Sequence, residues 1–562
     1  MIIKDRRPLI VKIIYGIITA LMILLIIRSY TGFIYGTFVT DIPGEYMDVA
    51  NVQISNDIVN GINPYVFKAN PVDNYIYAYT PLNSVLSGII SSITGLKAFR
   101  THYILTFLWV TLSAVLMSLY IYKKTENKML ALLAFMMMLT VIQRNCFVSI
   151  STVPDMLGVF VSVLILVLLD NKEEITNIKL TTVIFLSVLL FYIKQYYVIF
   201  AITIFIYLCM NNYKKAIVYV AGCLALGLTS LYIINYFCPL FTTQTIYCFL
   251  NSDGEVEAAN DSGLMLSIEQ MGKIVKYYAP LLFIYVCVIC RKIARLAVRI
   301  TDRRTAYKFV DEVEILRPGI FDINTFIMFW VLLLYLGKHD GAYLSYHLQL
   351  MIPSLIAAAL LGINSINMEV LSMRNNKFLT VRFSEFISKG NTYLWGMVFA
   401  ISVIGIVYCM YTDIRIGKAP IYTDEDKANW ENAYEEMSRY ESDEILVLAP
   451  SVGYYCLEKN IPVVGNGHNY MRGMEDGIDR SLVVVLLEKM GLMNHLDEYY
   501  QVAVKRREKI LNSINNKEYK LVIVPEGGYL YFGADEEGYS KLKTYTLRTG
   551  YEYYNIAFYE AN

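Results

Sequence analysis

Charge is in short supply in this sequence. Charged residues make up 17% of the 562 residues, and the 49 lysines and arginines balance the 49 aspartates and glutamates. A chain without excess positive charge has no bulk attraction for phosphate backbones, which argues against a nucleic-acid partner. The G-x-G-x-x-G and P-loop fingerprints are missing as well, so the sequence offers neither of these two loops for holding a nucleotide.

Recognisable cysteine–histidine metal-binding patterns are also missing. The nine cysteines lie mostly within apolar runs, and no cysteine–histidine ligand spacing occurs. Cysteines in apolar surroundings are typical of small buried hydrophobic residues, so they indicate neither a metal site nor a redox compartment. We therefore expect no cofactor. A divalent cation held by loop carboxylates stays an open alternative, because oxygen ligands suit such ions.

Apolar residues are what the sequence has in excess. Hydrophobic side chains make up 56% of the chain and the mean hydropathy is +0.44, whereas soluble domains are about 45–50% apolar. The first apolar run is preceded by basic residues and followed by no small-residue cleavage site, so we expect a retained helix rather than a removed signal peptide. At about 20 residues per crossing, eleven runs predict spanning helices at 9–28, 101–122, 128–146, 155–170, 178–194, 195–210, 215–237, 275–290, 319–337, 347–363 and 393–411.

The charges of the loops predict which side each loop faces. Lysine and arginine accumulate on the cytoplasmic side of a membrane, and a basic excess marks the N-terminus and residues 123–128, 211–215, 291–318 and 364–392. The acidic or nearly neutral segments, which we expect outside, are 29–100, 147–154, 238–274, 338–346 and everything after 411. The protein is thus predicted to be a multi-pass protein of the plasma membrane with a cytoplasmic N-terminus.

The stretch "PLNSVLSGIISSITG" at 81–95 is short and rich in serine and glycine. If it crossed the membrane, Lys123, Lys124 and Lys128 would face outward, against the charge rule. We therefore predict an interfacial helix here, which Pro81 opens at its first position.

Three carboxylates stand in the outer segment just before this region. Asp41, Glu45 and Asp48 lie in "TDIPGEYMDVAN", and the turn "NGINPY", with Gly61 and Pro64, follows. Glycine and proline end helices, so the spacing predicts a short helix that starts near Glu45 and places Asp48 on the same side one turn later. A solvated acidic loop is the alternative interpretation of the three acids.

Further polar residues fall at the outer ends of the predicted spans. Asp155 opens a span after Pro154, where a helix cap is the alternative to a functional role. Lys194 and Gln195 interrupt nearly forty apolar residues at an outward turn, where a lysine either binds an anion or serves as an interfacial anchor. A late loop, "YLGKHDGAYLSYHLQL", clusters Tyr346 and His347 with other polar side chains.

The chain beyond 411 is much more charged than the rest. Apolar runs at 443–450, 461–467, 519–525 and 552–560 read as strands, and residues 481–496 and 500–514 read as helices. Strands that alternate with helices predict a small α/β domain. We therefore divide the chain into a membrane module, 1–411, and an extracytoplasmic domain, 412–562.

The order of motifs in the first 240 residues resembles the GT-C glycosyltransferases, which include protein O-mannosyltransferases and lipid A aminoarabinose transferases. An acid follows the first span, G-x-N-P-Y (Gly61–Tyr65) comes about sixteen residues after Glu45, and Y-x-Y-x-P (Tyr77–Pro81) precedes the interfacial helix. The resemblance implies a mainly α, polytopic membrane helix bundle of about eleven spans, followed by the α/β domain. It implies a hexosyl or pentosyl transferase that moves a sugar from a polyprenyl-phosphate donor to a glycan, lipid or protein hydroxyl of the cell envelope.

The resemblance also suggests roles for individual residues. The acid of the family's first outer loop maps best onto Glu45 as general base, although this chain has no adjacent acid pair, which leaves Asp48 or Asp41 possible. A single base and a cationic clamp imply inversion at the sugar. The other predicted site residues are Asp155 for positioning, Lys194 and Arg100 for the donor phosphate, and Gln195, Tyr79, Tyr346 and His347 for the substrate. A transporter or flippase of lipid-linked sugars is the alternative, although we find no paired-repeat symmetry of the kind transporters favour.

Overall fold

The structure is a computed structural model of the full chain. It describes residues 9–38, 48–69, 79–146, 152–170, 175–247, 281–290, 318–336, 350–364, 422–459, 461, 478, 480–526, 538–549 and 552–562.

Twelve helices precede residue 365 in the described part of the chain. They are α1 (Leu9–Phe38), α2 (Asp48–Val59), α3 (Leu82–Thr94), α4 (Ala98–Thr125), α5 (Lys128–Cys146), α6 (Asp155–Leu169), α7 (Asn177–Ile193), α8 (Phe200–Asn211), α9 (Tyr213–Phe237), α10 (Leu281–Cys290), α11 (Ile320–Leu336) and α12 (Leu350–Asn364). A 3₁₀ turn, Gln195–Ile199, joins α7 to α8. Helices thus lie at ten of the eleven predicted spans, and the eleventh, 393–411, is outside the described residues.

Three helices are long and apolar enough, by length and composition, to cross a membrane: Gly16–Tyr35 within α1, α4 and α9. The other apolar helices of the described chain are 10 to 17 residues long by the same measure. These apolar helices identify an integral membrane protein, while the number of crossings and the orientation stay predictions.

Helix α3 has the features predicted for an interfacial helix. It begins directly after Pro81 and ends at Gly95, whose φ of +71° is the left-handed conformation that favours glycine. Its protein-facing side is polar, whereas Ile89 and Ile93 are exposed. This polarity is the reverse of a helix on a soluble protein. The buried side consists of Asn83, Ser84, Ser87, Gly88 and Ser91.

Helix α2 ends as predicted at the G-x-N-P-Y turn. Its last residue is Val59, and Gly61 adopts φ +70°. Helices α2 and α3 pack closely because Gly88 has no side chain. A Cβ at that position would come within 3.0 Å of the Ser55 carbonyl oxygen.

The helix bundle has one large apolar core with a few buried polar links. This core contains Met136 and Met138 of α5 together with aliphatic residues of α6 and α12. Thr203 of α8 donates to Asn324 of α11 over 2.9 Å, and Asn324 donates to Ser354 of α12 over 2.7 Å. These bonds satisfy side chains that would be costly to leave unpaired in an apolar interior, and they fix the three helices against each other.

The interpretation of the cysteines as buried residues was wrong for most of those described. Cys456 is buried, Cys209 and Cys290 are exposed, and the other three described cysteines are partly buried. The physical reason is that an apolar span presents apolar residues to lipid as well as to protein. Cys287 and Cys290 also form a C-x-x-C spacing in α10, with both thiols free.

The C-terminal domain is a four-stranded sheet with helices. Its strands are β1 (Ile445–Val447), β2 (Leu521–Pro525), β3 (Tyr539–Thr549) and β4 (Glu552–Ala561), in the order β1-β2-β4-β3. The β1–β2 pair is parallel and the other two pairs are antiparallel. Its helices are α13 (Asp424–Met437), α14 (Pro450–Lys459), α15 (Leu482–Lys489) and α16 (Leu496–Asn515). The prediction of a helix bundle followed by a small α/β domain is confirmed.

Three of these elements differ from the sequence prediction. Strand β3 and helices α13 and α14 were not predicted, because their sequences are polar or lack a clean period. Lys541 and Lys543 also flank a register shift in the β3–β4 pair. The predicted strand at 461–467 lies outside the described residues except for Ile461.

The described loops of the bundle lie at two ends. At one end Lys124 pairs with Asp170 over 2.9 Å, and Lys215 donates to the carbonyl of Ile175. We call the opposite end the site end. It holds α2, the start of α6 and the turn after α7.

The C-terminal domain packs on the site end. Leu457 of α14 contacts a cluster that includes Val52 of α2 and Phe99 of α4. The side chain of Asn235 donates to the carbonyl of Leu492 over 2.7 Å. The α/β domain, α2 and the start of α4 therefore lie at the same end of the bundle.

Candidate active site

A buried ion pair joins two of the predicted site residues. The ammonium of Lys194 lies 3.1 Å and 3.0 Å from the two carboxylate oxygens of Asp155. Asp155 is 0% and Lys194 2% exposed. Removing two charges from solvent costs several kcal/mol per ion, so an apolar bundle keeps such a pair only with good geometry. A buried ionisable group in a membrane protein is a functional candidate by default.

Breaks in regular structure bring these two residues together. Asp155 stands in the first turn of α6, directly after Pro154, where its negative charge also favours the positive end of the helix dipole. Helix α7 ends at Ile193, and Lys194 is extended, with φ −163° and ψ 131°, before the 3₁₀ turn begins. The polar "KQ" interruption seen in the sequence is thus a real break between two helices.

Two tyrosines of the 3₁₀ turn complete the surroundings of Asp155. The hydroxyl of Tyr196 donates to the carboxylate, and the hydroxyl of Tyr197 donates to the backbone carbonyl of Asp155 over 2.9 Å. The two rings stack with centroids 4.7 Å apart. The carboxylate is therefore held by an ammonium and a phenol together, so the alternative of a simple helix cap does not account for its contacts.

Aromatic rings also surround the ammonium. Nζ of Lys194 lies 4.6 Å from the ring centroid of Tyr79 and 4.9 Å from that of Tyr196, within the range of cation–π attraction. Tyr79 belongs to the outer segment, and Thr80 next to it donates to the carbonyl of Phe191 over 2.8 Å. Tyr79 is thereby anchored to the end of α7 and brought to the ion pair.

Gln195 extends the site towards the chain after α9. Its amide donates to the carbonyl of Thr245 over 2.6 Å. Thr245 lies in a short π-helical turn, Thr243–Tyr247, that is largely buried. Four of the predicted site residues, Tyr79, Asp155, Lys194 and Gln195, are thus assembled at one place.

The remaining predicted residues are placed differently. Arg100 donates from Nη1 to the carbonyl of Phe38 over 3.2 Å, so it contacts the end of α1. Asp48 is the first residue of α2. Asp41, Glu45, Tyr346, His347 and the side chain of Asp48 lie outside the described residues, so their roles stay predictions.

A second buried polar cluster was not predicted from the sequence. His102 of α4 is fully buried and lies 2.7 Å from the hydroxyl of Ser55 and 3.3 Å from the amide of Asn83. Asn51 donates to the hydroxyl of Thr152 over 3.4 Å, three residues before Asp155. The cluster joins α2, α3 and α4 to the segment that leads to Asp155. In the sequence, the signal for this cluster was His102, a histidine within the predicted span at 101–122.

Asp57 is another acidic residue at the site end, and neighbouring side chains hold its carboxylate. Its carboxylate accepts from Gln53 over 2.8 Å and pairs with Lys68 at 3.4 Å. Among the described residues, no group of three or more His, Cys, Asp or Glu is arranged to hold a metal ion.

Comparisons with known proteins give matches of structure. No family model matches the chain, and no curated protein matches it. A crystal structure of ArnT from Cupriavidus metallidurans bound to undecaprenyl phosphate matches with a TM-score of 0.53 and 9% identity, over 96% of this chain and 98% of that chain. The same protein in the apo state matches over the same shares with a TM-score of 0.48 and 9% identity.

ArnT is a lipid A aminoarabinose transferase and a GT-C glycosyltransferase. Its likeness extends over nearly the whole of both chains and includes the bundle and the C-terminal domain. At 9% identity, what the two proteins share is the architecture. This chain therefore has the ArnT fold, a polytopic helix bundle with a C-terminal α/β domain, as the resemblance to GT-C enzymes predicted.

Proposed function

We propose that this protein is a membrane glycosyltransferase that transfers a sugar from a polyprenyl-phosphate donor to a hydroxyl acceptor. The observation that carries the proposal is the ArnT fold over 96% of the chain, with a buried carboxylate–lysine pair among the residues that the GT-C resemblance selects. The ArnT structure was determined with undecaprenyl phosphate bound, which supports a polyprenyl phosphate as the donor's lipid.

The proposed reaction is a single displacement. The acceptor oxygen attacks C1 of the sugar, its proton passes to a carboxylate, and the lipid phosphate leaves with the electron pair of the broken C–O bond. The attack comes from the face opposite the leaving group, so the anomeric configuration inverts. We propose Glu45 as the base, with Asp48 as the runner-up, because the family's first outer-loop acid maps best onto Glu45.

Lys194 is proposed to stabilise the leaving phosphate. An ammonium can donate three hydrogen bonds, and the Lys194 ammonium lies between two tyrosine rings and a carboxylate, where its position is restrained. A restrained donor needs little reorganisation when charge develops on the phosphate. Asp155 keeps this ammonium in place and offsets the cost of its burial.

The negative charge of the donor phosphate also has to be balanced. With Asp155 the pair is formally neutral, so a phosphate that joins it adds negative charge. Arg100 is proposed to supply the second positive charge, as expected from its position after the interfacial helix. In the structure it contacts the end of α1, so this role requires its long side chain to turn towards the donor.

The experiment that tests the proposal is a transfer assay in detergent. Purified protein receives polyprenyl phosphate carrying a labelled hexose or pentose and a mixture of glycolipid, glycan and peptide acceptors. Label that leaves the lipid and appears on an acceptor supports the proposal. Detergent abolishes compartments, so a transporter or flippase gives no signal.

A pair of double variants provides the matched control. Asp155→Asn with Lys194→Met removes both charges of the site, and Asp57→Asn with Lys68→Met removes both charges of the neighbouring pair. We expect the first to lose transfer and the second to retain it. Equal activity of both would contradict a role for the Asp155–Lys194 pair.

A further inference from the structure

Helix α15 of the C-terminal domain has an apolar face that the protein does not cover. Its sequence is LVVVLLEK. Leu482 is 87%, Val483 50% and Leu486 57% exposed. Positions i, i+1 and i+4 lie on one side of a helix, so the three side chains form a continuous surface. Solvent-exposed helices of soluble domains carry polar residues on such a face.

The opposite side of α15 is packed normally. Val484 is fully buried and Leu487 is partly buried, in a cluster with Met493 and Tyr499 of the same domain and Phe241 of the bundle. The domain therefore has a core at this point, and the exposed leucines are additional apolar residues directed away from it.

The position of α15 indicates what lies beyond this face. Two side chains in the last turns of α9 bond to the residues that follow α15. Tyr232 donates to the carbonyl of Met490 over 2.5 Å, and Asn235 donates to that of Leu492 over 2.7 Å. The C-terminal end of α15 is thus attached to the end of a helix that is long and apolar enough to span a membrane.

The end of α9 has the features of a membrane–water boundary. Only 6% of the residues in its most apolar stretch are buried in the protein, which leaves an apolar surface suited to lipid. Its last two residues, Tyr236 and Phe237, are 82% and 66% exposed. Aromatic side chains concentrate at the headgroup level of spanning segments, which places this level beside α15.

We propose that α15 lies in the headgroup layer of the bilayer, with Leu482, Val483 and Leu486 directed into the lipid. The occupant of the apolar face is the membrane, because the face continues the lipid-covered surface of α9. Lys489 at the end of the helix can extend its ammonium towards the lipid phosphates, as lysines do at this depth. Helix α3 likewise exposes apolar residues, Ile89 and Ile93, although its buried side is polar.

The consequence is that the C-terminal domain is attached both to the bundle and to the bilayer. Helix α14 binds the bundle through Leu457, and α15 binds the lipid. A domain held at both points keeps a constant height above the membrane on the side of the Asp155–Lys194 pair. This inference depends on the geometry of α9 and α15, and it holds whether or not the protein is a glycosyltransferase.

Photochemical crosslinking of the full chain tests the inference. The photoreactive amino acid p-benzoylphenylalanine replaces Leu482 or Leu486 in protein reconstituted into phosphatidylethanolamine–phosphatidylglycerol liposomes. Tyr553, which is exposed on strand β4 of the same domain, is replaced as the matched control. Both replaced leucines point out of the protein, so the fold tolerates the larger side chain.

We expect irradiation to add the mass of one lipid at positions 482 and 486 and none above background at 553. A crosslinked dimer at 482 and 486 without a lipid adduct would show that a second copy covers the face. Absence of any lipid adduct at both positions, in protein that crosslinks to lipid from Ile93 replaced in the same way, would show that the face is in water. Either result overturns the inference.

Discussion

Asp155 and Lys194 depend on each other for stability. Each neutralises a charge that is almost fully buried, so removing one partner leaves the other uncompensated in an apolar bundle. Loss of one member of a buried pair costs about 3–5 kcal/mol, whereas replacing both by neutral residues of similar size is often tolerated. Stability and catalysis can therefore be separated by comparing single and double variants.

We expect Lys194→Met to lower the free energy of unfolding by about 3–5 kcal/mol. Adding Asp155→Asn should recover most of that loss without restoring transfer, because the phosphate still lacks its ammonium. Thermal unfolding in detergent and the transfer assay measure the two effects. A single Lys194→Met variant with wild-type stability would mean that the ion pair is not buried in the working protein.

The choice of general base is also a question about single residues. We expect Glu45→Gln to lower the transfer rate by about 10²–10⁴, as loss of a general base typically does, with donor binding largely retained because the shape is kept. Asp48→Asn and Asp41→Asn are the matched variants. If Asp48→Asn loses activity and Glu45→Gln does not, the base stands one helical turn later. If all three variants are active, none of these acids is the base.

At the scale of elements, a glycine controls how the 3₁₀ turn packs on α6. A Cβ at Gly158 would lie 2.1 Å from Cζ of Tyr197, far inside contact distance. The Tyr197 hydroxyl could then no longer reach the carbonyl of Asp155. Position 158 must therefore be glycine, because the Tyr197 ring that holds Asp155 occupies the space a side chain would need.

We expect Gly158→Ala to impair transfer strongly and to destabilise the bundle by about 1–3 kcal/mol, the usual cost of overpacking. Gly227→Ala in α9 is the control, because nothing lies within 4 Å of a Cβ there, and it should be neutral. Tyr197→Ala should itself destabilise the bundle through the cavity it leaves, and adding Gly158→Ala to it should cost little more, because the ring that clashes is gone. A full additional loss in the Tyr197→Ala background would show that the clash is not the cause.

Helix α13 begins with a charge-assisted cap. The hydroxyl of Thr423 accepts a hydrogen bond from the backbone N–H of Asp426, and the Asp426 carboxylate accepts one from the backbone N–H of Thr423. The same carboxylate pairs with Arg548 of β3 at 3.1 Å. Burial alone raises the pKa of Asp426, but the bonds from Thr423 and Arg548 outweigh it and lower the pKa below its ordinary value. The cap joins α13 to the sheet only while the carboxylate is ionised.

Because the folded-state pKa of Asp426 is lowered, the stabilisation is fully present above about pH 4, the ordinary carboxyl range. It is lost as the pH falls through the folded-state value. We expect Asp426→Asn to lower the melting temperature of the full chain at pH 7, and the difference from wild type to shrink below about pH 4. A difference that is constant with pH would contradict the ionised cap.

At the scale of the whole molecule, packing links two segments far apart in sequence. Helix α14 contacts α2 through Leu457 and Val52, so we expect α2 and the C-terminal domain to face the same compartment. We expect tags or cysteines in 29–100 and 412–562 to be accessible from outside the cell, and those in 291–318 only from inside.

The possible outcomes have different meanings. If the first two segments face opposite compartments, the packing of α14 on α2 is wrong. If both face the cytoplasm, the packing stands and the charge-based orientation is wrong, because the positive-inside rule would then have failed for this chain.

The sequence by itself determined where most helices lie and what kind of fold they build. Length and hydropathy are local properties, and a run of about 20 apolar residues must be helical in lipid because its backbone groups can pair only within the run. Ten predicted spans coincide with helices for that reason. Strand β3 and helix α13 were missed because their hydrophobic patterns are too weak to be read without the sheet they pack on.

Only the tertiary structure decided how the candidate site is built. The polar positions Asp155 and Lys194 were visible in the sequence, but their pairing across 39 residues depends on how α6 and α7 pack. The tyrosines that hold the carboxylate, the glycine that admits one of them and the face of α15 that points to lipid follow from packing too. Such contacts join residues distant in the chain, and no local pattern specifies which residues will meet.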